Sequence, residues 1–227
     1  MGKITDVVVL AAGKSKRYSK EKYKQHEKIS GNTLVSLSIK MFSVYREIRN
    51  IYIVKRKEDI YKLSNSNKNI FYVNGGVSRS KSVFNALKSI YKASSRPSNV
   101  IIHDSARPIV KHADLKSLLS KSSGLTTGIG FGYPLTNAVK KVKSNLIIEE
   151  DVDRKNLYVT FTPQMFNFIK IYNAYKKIIS AKVDIDDDLQ AMRFDSHKVK
   201  IMLSSPFNVK LTYKSDLTDI TKVFKSI

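Results

Sequence analysis

The chain has 227 residues, of which 42% are apolar, no cysteine, and a formal net charge of +22. That length fills one well-packed domain, and the lack of cysteine excludes disulfides and thiolate metal sites and suits a reducing, cytoplasmic setting. The apolar runs at 7–12 and 128–135 are far too short to cross a bilayer; the first is preceded by Asp6 and ends at Gly13 in a basic stretch, so it reads as an internal strand rather than a secretion signal.

Strand-like runs at 6–10, 50–54, 70–73, 100–103, 128–133 and 199–203 alternate with helical periodicity at 33–45, 79–92, 113–121, 167–179, 187–194 and 215–226. Leu34, Leu37, Met41 and Tyr45 lie on one helical stripe behind a cap at Asn32 or Thr33, and Val83, Leu87 and Ile90 form another. The alternation predicts an α/β fold: one mostly parallel sheet flanked by helices, with right-handed crossovers. Residues 136–160 break the rhythm. Two β-like pieces, 138–142 and 146–150, are joined through Lys143-Ser144-Asn145 and predict a hairpin arm standing off the sheet. An isolated hairpin is marginal in water, so a second subunit is the expected support.

The charge invites a nucleic-acid reading. However, the lysines are spread over nearly every segment and the aromatics sit on apparent core faces rather than between basic residues, so neither a specific nucleic-acid partner nor a membrane is expected. An anionic substrate accounts for part of the charge. Against thirty-two lysines there are nine arginines, and four of them, Arg17, Arg79, Arg107 and Arg154, fall in motif-like segments where a planar phosphate or carboxylate binder is useful.

Ligands in open α/β sheets bind beyond the carboxyl ends of the strands. The unusual residues lie there: Ala11-Ala12-Gly13 leading to Arg17, Gly75-Gly76 leading to Arg79 and Ser82, His103-Asp104-Ser105-Ala106-Arg107-Pro108, Pro134-Leu135-Thr136-Asn137, and Phe207-Asn208-Val209-Lys210. Each alone is compatible with a tight turn; together on one rim they predict a phosphate-containing ligand. The first loop lacks the Gly-Lys-Ser/Thr ending of a P-loop and the three glycines of a dinucleotide fingerprint. Gly13 lets backbone approach phosphate, and Arg17 and Lys24 can neutralise charge growing on phosphoryl oxygens, while Lys14, Lys16, Lys20 and Lys22 read as a solvated basic loop. Gly76, Ser78, Arg79 and Ser82 could meet a nucleobase edge. A lone carboxylate facing phosphates, Asp104, suggests a Mg²⁺ contact, whereas His103 reads as packed. Asp186-Asp187-Asp188 is either a second acidic contribution or a helix cap. No Ser/His/Asp set is evident, which suits nucleotidyl transfer: a phosphate-monoester nucleophile is already ionised and the protein need only position and stabilise.

These pieces, with Lys24-Gln25, Val152-Asp153-Arg154, Thr162-Pro163-Gln164, Asn208-Val209-Lys210-Leu211-Thr212 and Asp216-Leu217, resemble the 2-C-methyl-D-erythritol 4-phosphate cytidylyltransferase family over roughly residues 4–225. The resemblance implies a Rossmann-like nucleotidyltransferase domain with a dimerising β-arm, using CTP, a polyol phosphate and Mg²⁺. It implies Arg17 and Lys24 at the reacting phosphate, and Arg154 and Lys210 holding the acceptor, Arg154 serving the neighbouring subunit. It places Ala11, Ala12, Gly13, Gly76, Arg79, Ser82 and Ala106 around CTP, Asp104 near the metal, and Thr162 at the acceptor phosphate. The usual Asp-Thr after the fifth strand is Asn137-Ala138, and Thr136 is the expected substitute. Arg107 is grouped with the substrate binders, the alternative being an anchor for its own loop. The chain also departs from the family at Ser15 (Gly), Tyr23 (Pro) and His26 (an aromatic). Cytidylyltransferases for other polyol phosphates, such as ribitol 5-phosphate, share the His-Asp-Ser and Phe-Asn-x-Lys elements; Ala106 and Val152-Asp153-Arg154-x-x-Leu157 favour the methylerythritol phosphate enzymes.

Overall fold

A computed structural model describes residues 3–15, 17–19, 23–61 and 66–225. In chain order, β1 (Thr5–Leu10) leads into the basic loop, a single 3₁₀ turn (Lys24–His26) and a small hairpin of β2 (Lys28–Ile29) and β3 (Asn32–Thr33). Then follow α1 (Leu34–Ser43), β4 (Ile48–Lys55), β5 (Asn69–Asn74), α2 (Arg79–Lys92), β6 (Asn99–Asp104), α3 (His112–Ser120) and β7 (Gly128–Pro134). The arm is β8 (Val139–Val142) and β9 (Ile148–Val152), after which come β10 (Tyr158–Asn167), α4 (Phe168–Ala181), α5 (Asp188–Phe194), β11 (Val199–Leu203) and α6 (Asp216–Lys225). The main sheet runs β11-β7-β10-β6-β1-β4-β5; β10 is antiparallel to both its neighbours and the other pairings are parallel.

The central strands read as unbroken apolar runs because both faces of the sheet are covered. Val7 and Val9 point to one side, where they pack with Phe42 of α1 and Leu118 of α3. Val8 points to the other, against Val83 and Leu87 of α2 and Ile171 and Tyr175 of α4. Side-chain caps fix the helix starts: Thr33 accepts from the Ser36 N–H, Ser78 from Lys81, Asn167 from Lys170 and Asp187 from Gln190.

Two features differ from the sequence reading. Residues 158–167 form a ten-residue central strand, although residues up to 160 were expected in the arm and no sheet strand was expected between them and the next helix. Pro163 lies in this strand, and a proline argues against a central strand because it cannot donate to the ladder. Pairing with β7 steps from Phe161 to Gln164 across it, and the buried run Phe161–Phe166 drives the strand into the core regardless. The arm itself forms a separate two-stranded sheet as expected, but its turn is longer: Lys143 donates its N–H to the Ile147 carbonyl, and Leu146 sits at φ 64°.

Candidate active site

The carboxyl ends of β1, β5 and β6 open into a cavity of about 240 Å³ lined by Ala11, Ala12, Gly13, Lys24, Gly76, Arg79, Ser82, Asp104, Ala106 and Lys210, among others. Adjacent strands bring these loops together. The Ala11 N–H donates to the Val54 carbonyl, the Gly75 N–H to Lys55, and the Ser105 N–H to Leu10. Gly75 is required by close approach, since a Cβ there would lie 2.4 Å from the Ala12 methyl. Gly76 gives its N–H to Ser82 Oγ at 3.0 Å, and that hydroxyl donates to the Ser78 carbonyl at 2.9 Å. Ser82, expected at the nucleotide, therefore also ties the glycine loop to the first turn of α2. Nothing lies within 4 Å of a Cβ built on Gly13, which leaves room for a ligand over the first loop.

Four charged groups form a ladder into the cavity wall. Asp188, fully buried, grips the Arg79 guanidinium with two bonds of 3.1 and 2.7 Å. Arg79 Nε lies 3.4 Å from one Asp104 oxygen, and Lys210 Nζ lies 2.6 Å from the other. Burial alone would raise the Asp104 pKa; the Arg79 and Lys210 charges overcome it and hold the carboxyl well below the usual range. Tyr175, buried beneath, donates its hydroxyl to Asp188. The Asp186-Asp187-Asp188 run thus divides. Asp187 caps α5 and also accepts from Thr160 and Gln164, and Asp188 clamps Arg79. One cap needs one carboxylate, so the surplus acid at the helix start was the available signal for this second role.

Lys24 projects from the 3₁₀ turn and donates from Nζ to the Leu211 carbonyl at 2.8 Å. Burial, reinforced by Lys210 and Arg17 against the pull of Asp104, lowers its pKa to about 8. Its neighbour Gln25, which the sequence reading left without a role, is buried and bonds the Gly13 carbonyl and the Ser15 hydroxyl. Arg17 is exposed beside this loop and does not line the cavity.

The remaining expected residues are placed as follows. His103 is fully buried, edge-on to Phe42, and its pKa is pressed to about 3 by burial, so it is a neutral packed histidine. The Thr162 hydroxyl, expected at the acceptor phosphate, is buried and accepts the Asp104 N–H at 3.0 Å; its role here is to fix the carboxylate's strand end. Arg107 donates to the Asn208 carbonyl at 2.7 Å and lies over the Phe161 ring. With the Leu211 N–H on the Ala106 carbonyl, it fastens the Lys210 loop to the loop after β6, which is the anchoring alternative. Arg154 and Thr136 lie outside the cavity, exposed at the root of the arm, where Arg154 Nη1 donates to the Thr136 carbonyl at 2.5 Å. Lys20 and Lys22, with Lys16, fall outside the described residues.

Among the described residues no group of three or more His, Cys, Asp or Glu side chains could hold a metal by itself. Asp104 is a single ionised carboxylate on the cavity wall, which fits Mg²⁺ taking its other ligands from substrate phosphates and water.

A family model for 2-C-methyl-D-erythritol 4-phosphate cytidylyltransferase (IspD) matches residues 5–225. The chain belongs to this family. The enzyme of that name from Wigglesworthia glossinidia brevipalpis is 34% identical over 214 residues, covering 93% of this chain and 91% of its own. The one from Dictyoglomus thermophilum is 34% identical over 227 residues, covering 96% and 94%. The crystal structure of the Francisella tularensis IspD superimposes with a TM-score of 0.80 at 25% identity, covering 96% of this chain and 99% of that one. The family's nucleotidyltransferase fold is therefore the fold described above. No helix among the described residues is long and apolar enough to cross a membrane.

Proposed function

We propose that the chain transfers CMP from CTP to 2-C-methyl-D-erythritol 4-phosphate, giving 4-diphosphocytidyl-2-C-methyl-D-erythritol and pyrophosphate. The observation that carries this reading is the strand-end cavity in which Lys24, Lys210 and Arg79 gather around one carboxylate, in a chain of the cytidylyltransferase family. An acceptor phosphate oxygen attacks the α-phosphorus, the new P–O bond forms, and the bond from that phosphorus to the pyrophosphate oxygen breaks. The nucleophile is already anionic, so no general base is needed, consistent with a neutral, buried His103.

The chain's own groups then do three things. Lys24 and Arg17 stabilise negative charge growing on the α-phosphoryl oxygens. Gly13, Gly76, Ala11, Ala12 and Ala106 keep the walls small enough for backbone to approach the nucleotide, with Arg79 and Ser82 beside them. Lys210 and, from the arm, Arg154 hold the acceptor phosphate. Asp104 is the residue that would hold Mg²⁺, which supplies charge neutralisation on the triphosphate. The exposed apolar tip of the arm, with Leu146 80% and Ile148 59% accessible, supports a homodimer in which Arg154 reaches the neighbour's cavity. Charged phosphorylated substrates do not cross membranes unaided, which supports a reaction in the compartment that makes them, the cytoplasm on this reading.

The test is pyrophosphate release with CTP, Mg²⁺ and a panel of polyol phosphates. Release with methylerythritol phosphate is expected; faster release with ribitol 5-phosphate would reassign the acceptor, and none with any acceptor would remove the function.

A further inference from the structure

We propose that Asp59 is a positioning residue for the transfer reaction: it holds the Lys24 turn in place through His26 on one side and through Arg56 and Tyr23 on the other. This rests on Lys24 acting at the reacting phosphate.

The turn that carries Lys24 is three residues long, and a single 3₁₀ turn does not hold its shape unaided. Gln25 and the Lys24 N–H tie its inner side to Gly13 and Ser15; its outer side is held by the loop after β4. Asp59 is 4% exposed and is the hub of that loop. It accepts from the Arg56 N–H at 3.3 Å and from Arg56 Nε at 3.1 Å, with Nη2 of the same guanidinium on its other oxygen. It also accepts from the Tyr61 hydroxyl at 3.3 Å. Lys55 Nζ closes the loop from within by donating to the carbonyls of Arg56, Lys57 and Asp59. Glu58 pairs with Arg56 at 3.3 Å from the solvent side.

This knot presents two faces to the turn, one to each residue flanking Lys24-Gln25. The Arg56 guanidinium carbon sits 3.1 Å from the centroid of the Tyr23 ring, a cation–π contact. The His26 ring stacks on Tyr61 at 5.3 Å and places Nε2 3.1 Å from Asp59 Oδ1. Both flanks of Lys24 are therefore docked on groups that Asp59 orients. Residues 55–61 do not line the cavity; apart from the Lys55 carbonyl, which accepts the Gly75 N–H, the contacts described here reach it through the turn. Tyr23 and His26 are also the two positions beside Lys24 where the chain departs from the family pattern, and both departures make contacts to this one platform. A displacement of about 1 Å of a charge-stabilising group is enough to cost about 100-fold in rate; a buried carboxylate with five donors is a way to prevent it.

The experiment compares wild type with Asp59→Asn and with His26→Ala, whose parent side chain is 40% exposed and which keeps the fold if the buried substitution does not. Hydrogen exchange is followed on the unliganded full chain, and kcat and KM are measured for CTP and acceptor. Both variants are expected to speed exchange of the Lys24, His26 and Glu27 amides about tenfold while β1 and β6 amides keep their wild-type rates. The kcat of each is expected to fall about 10- to 100-fold, with acceptor KM within about twofold, because the lost contact is to charge formed in the transition state. Exchange that rises equally in β1 and β6 would reduce Asp59 to a stability role and overturn the proposal, as would wild-type kcat in either variant. A wild type that never turns over CTP would instead overturn the functional reading, and the exchange data would still report whether Asp59 holds the turn.

Discussion

The cavity wall and the arm are built from the same residue types in opposite environments. In the wall, Asp188, Arg79, Asp104 and Lys210 form a continuous ladder whose inner member is fully buried. In the arm, Lys140 pairs with Asp151, and Lys141 reaches Glu149 and Glu150 at 3.4 and 3.5 Å, all on exposed side chains. Buried pairs are costly to break because the remaining charge is left without water, whereas exposed ones contribute little. The ladder in the wall is thus completed within one chain, while Arg154 and Thr136, expected with Lys210 on the acceptor side, stand exposed at the root of the hairpin.

The largest effect should come from the root of the ladder. Asp188→Ala leaves the half-buried Arg79 without its bidentate partner and the buried Tyr175 hydroxyl without its acceptor, and should destabilise the fold by about 3 kcal/mol, read as a lowered midpoint in denaturant. Lys24→Ala should leave stability within about 0.5 kcal/mol and reduce kcat about 10²- to 10³-fold. An unchanged kcat with only a raised KM would move Lys24 from the transition state to ground-state binding.

That division also explains what could be read from the sequence. Four of the five rim segments meet at the cavity, the one after β7 with Thr136 being the exception; those after β1 and β6 were the most legible, because each is a local break, a glycine or charge directly after a buried strand. The Asp188 clamp was legible only in half: three adjacent acids exceed what one cap needs, but the partner Arg79 lies 109 residues away in the chain and nothing local pointed to it. The Thr162 contact was not legible either: with β10 unrecognised behind Pro163, nothing marked its hydroxyl as buried and bonded to the Asp104 N–H. The arm was legible as a hairpin from its two short β-like pieces, but its end was not, because Tyr158–Asn167 continues the same β-like pattern straight into the core.

If the arm completes a neighbour's site, two damaged proteins should repair each other. Arg154→Ala and Lys24→Ala should each be at least about 100-fold impaired. Mixed at equal amounts and allowed to exchange subunits, they should recover roughly one quarter of wild-type activity, since half the dimers are mixed and each mixed dimer has one of its two sites intact. No recovery in a mixture shown to contain hybrid dimers would place Arg154 in its own chain's site. Leu146→Asp with Ile148→Asp should shift the protein toward monomer by sedimentation and reduce activity along with it.

The pH dependence isolates the wall. Lys24 acts as a cation, and burial has lowered its pKa to about 8, so the free enzyme loses that charge as pH rises through 8. Its kcat/KM for CTP should therefore decline on the alkaline side, approaching about tenfold per pH unit, and the limb should be missing in Lys24→Arg if that variant is active. Asp104, held well below the usual carboxylate range by Arg79 and Lys210, adds no acid limb near neutrality. Because its folded pKa is depressed, its contribution to stability is present above the ordinary Asp pKa of about 4 and is lost only as pH falls below it.

The smallest effect belongs to the arm's own charges. Asp151→Asn removes the partner of Lys140, but the Asp151 side chain is 77% exposed and that of Lys140 43%, so water replaces the contact on both sides. Stability should change by less than about 0.5 kcal/mol and kcat not at all. A larger loss, especially one that grows on dilution, would mean that Asp151 is covered in solution by the second subunit. The exposed pair would then belong with the buried ladder rather than opposite it, and the contrast between wall and arm would hold only for the isolated chain.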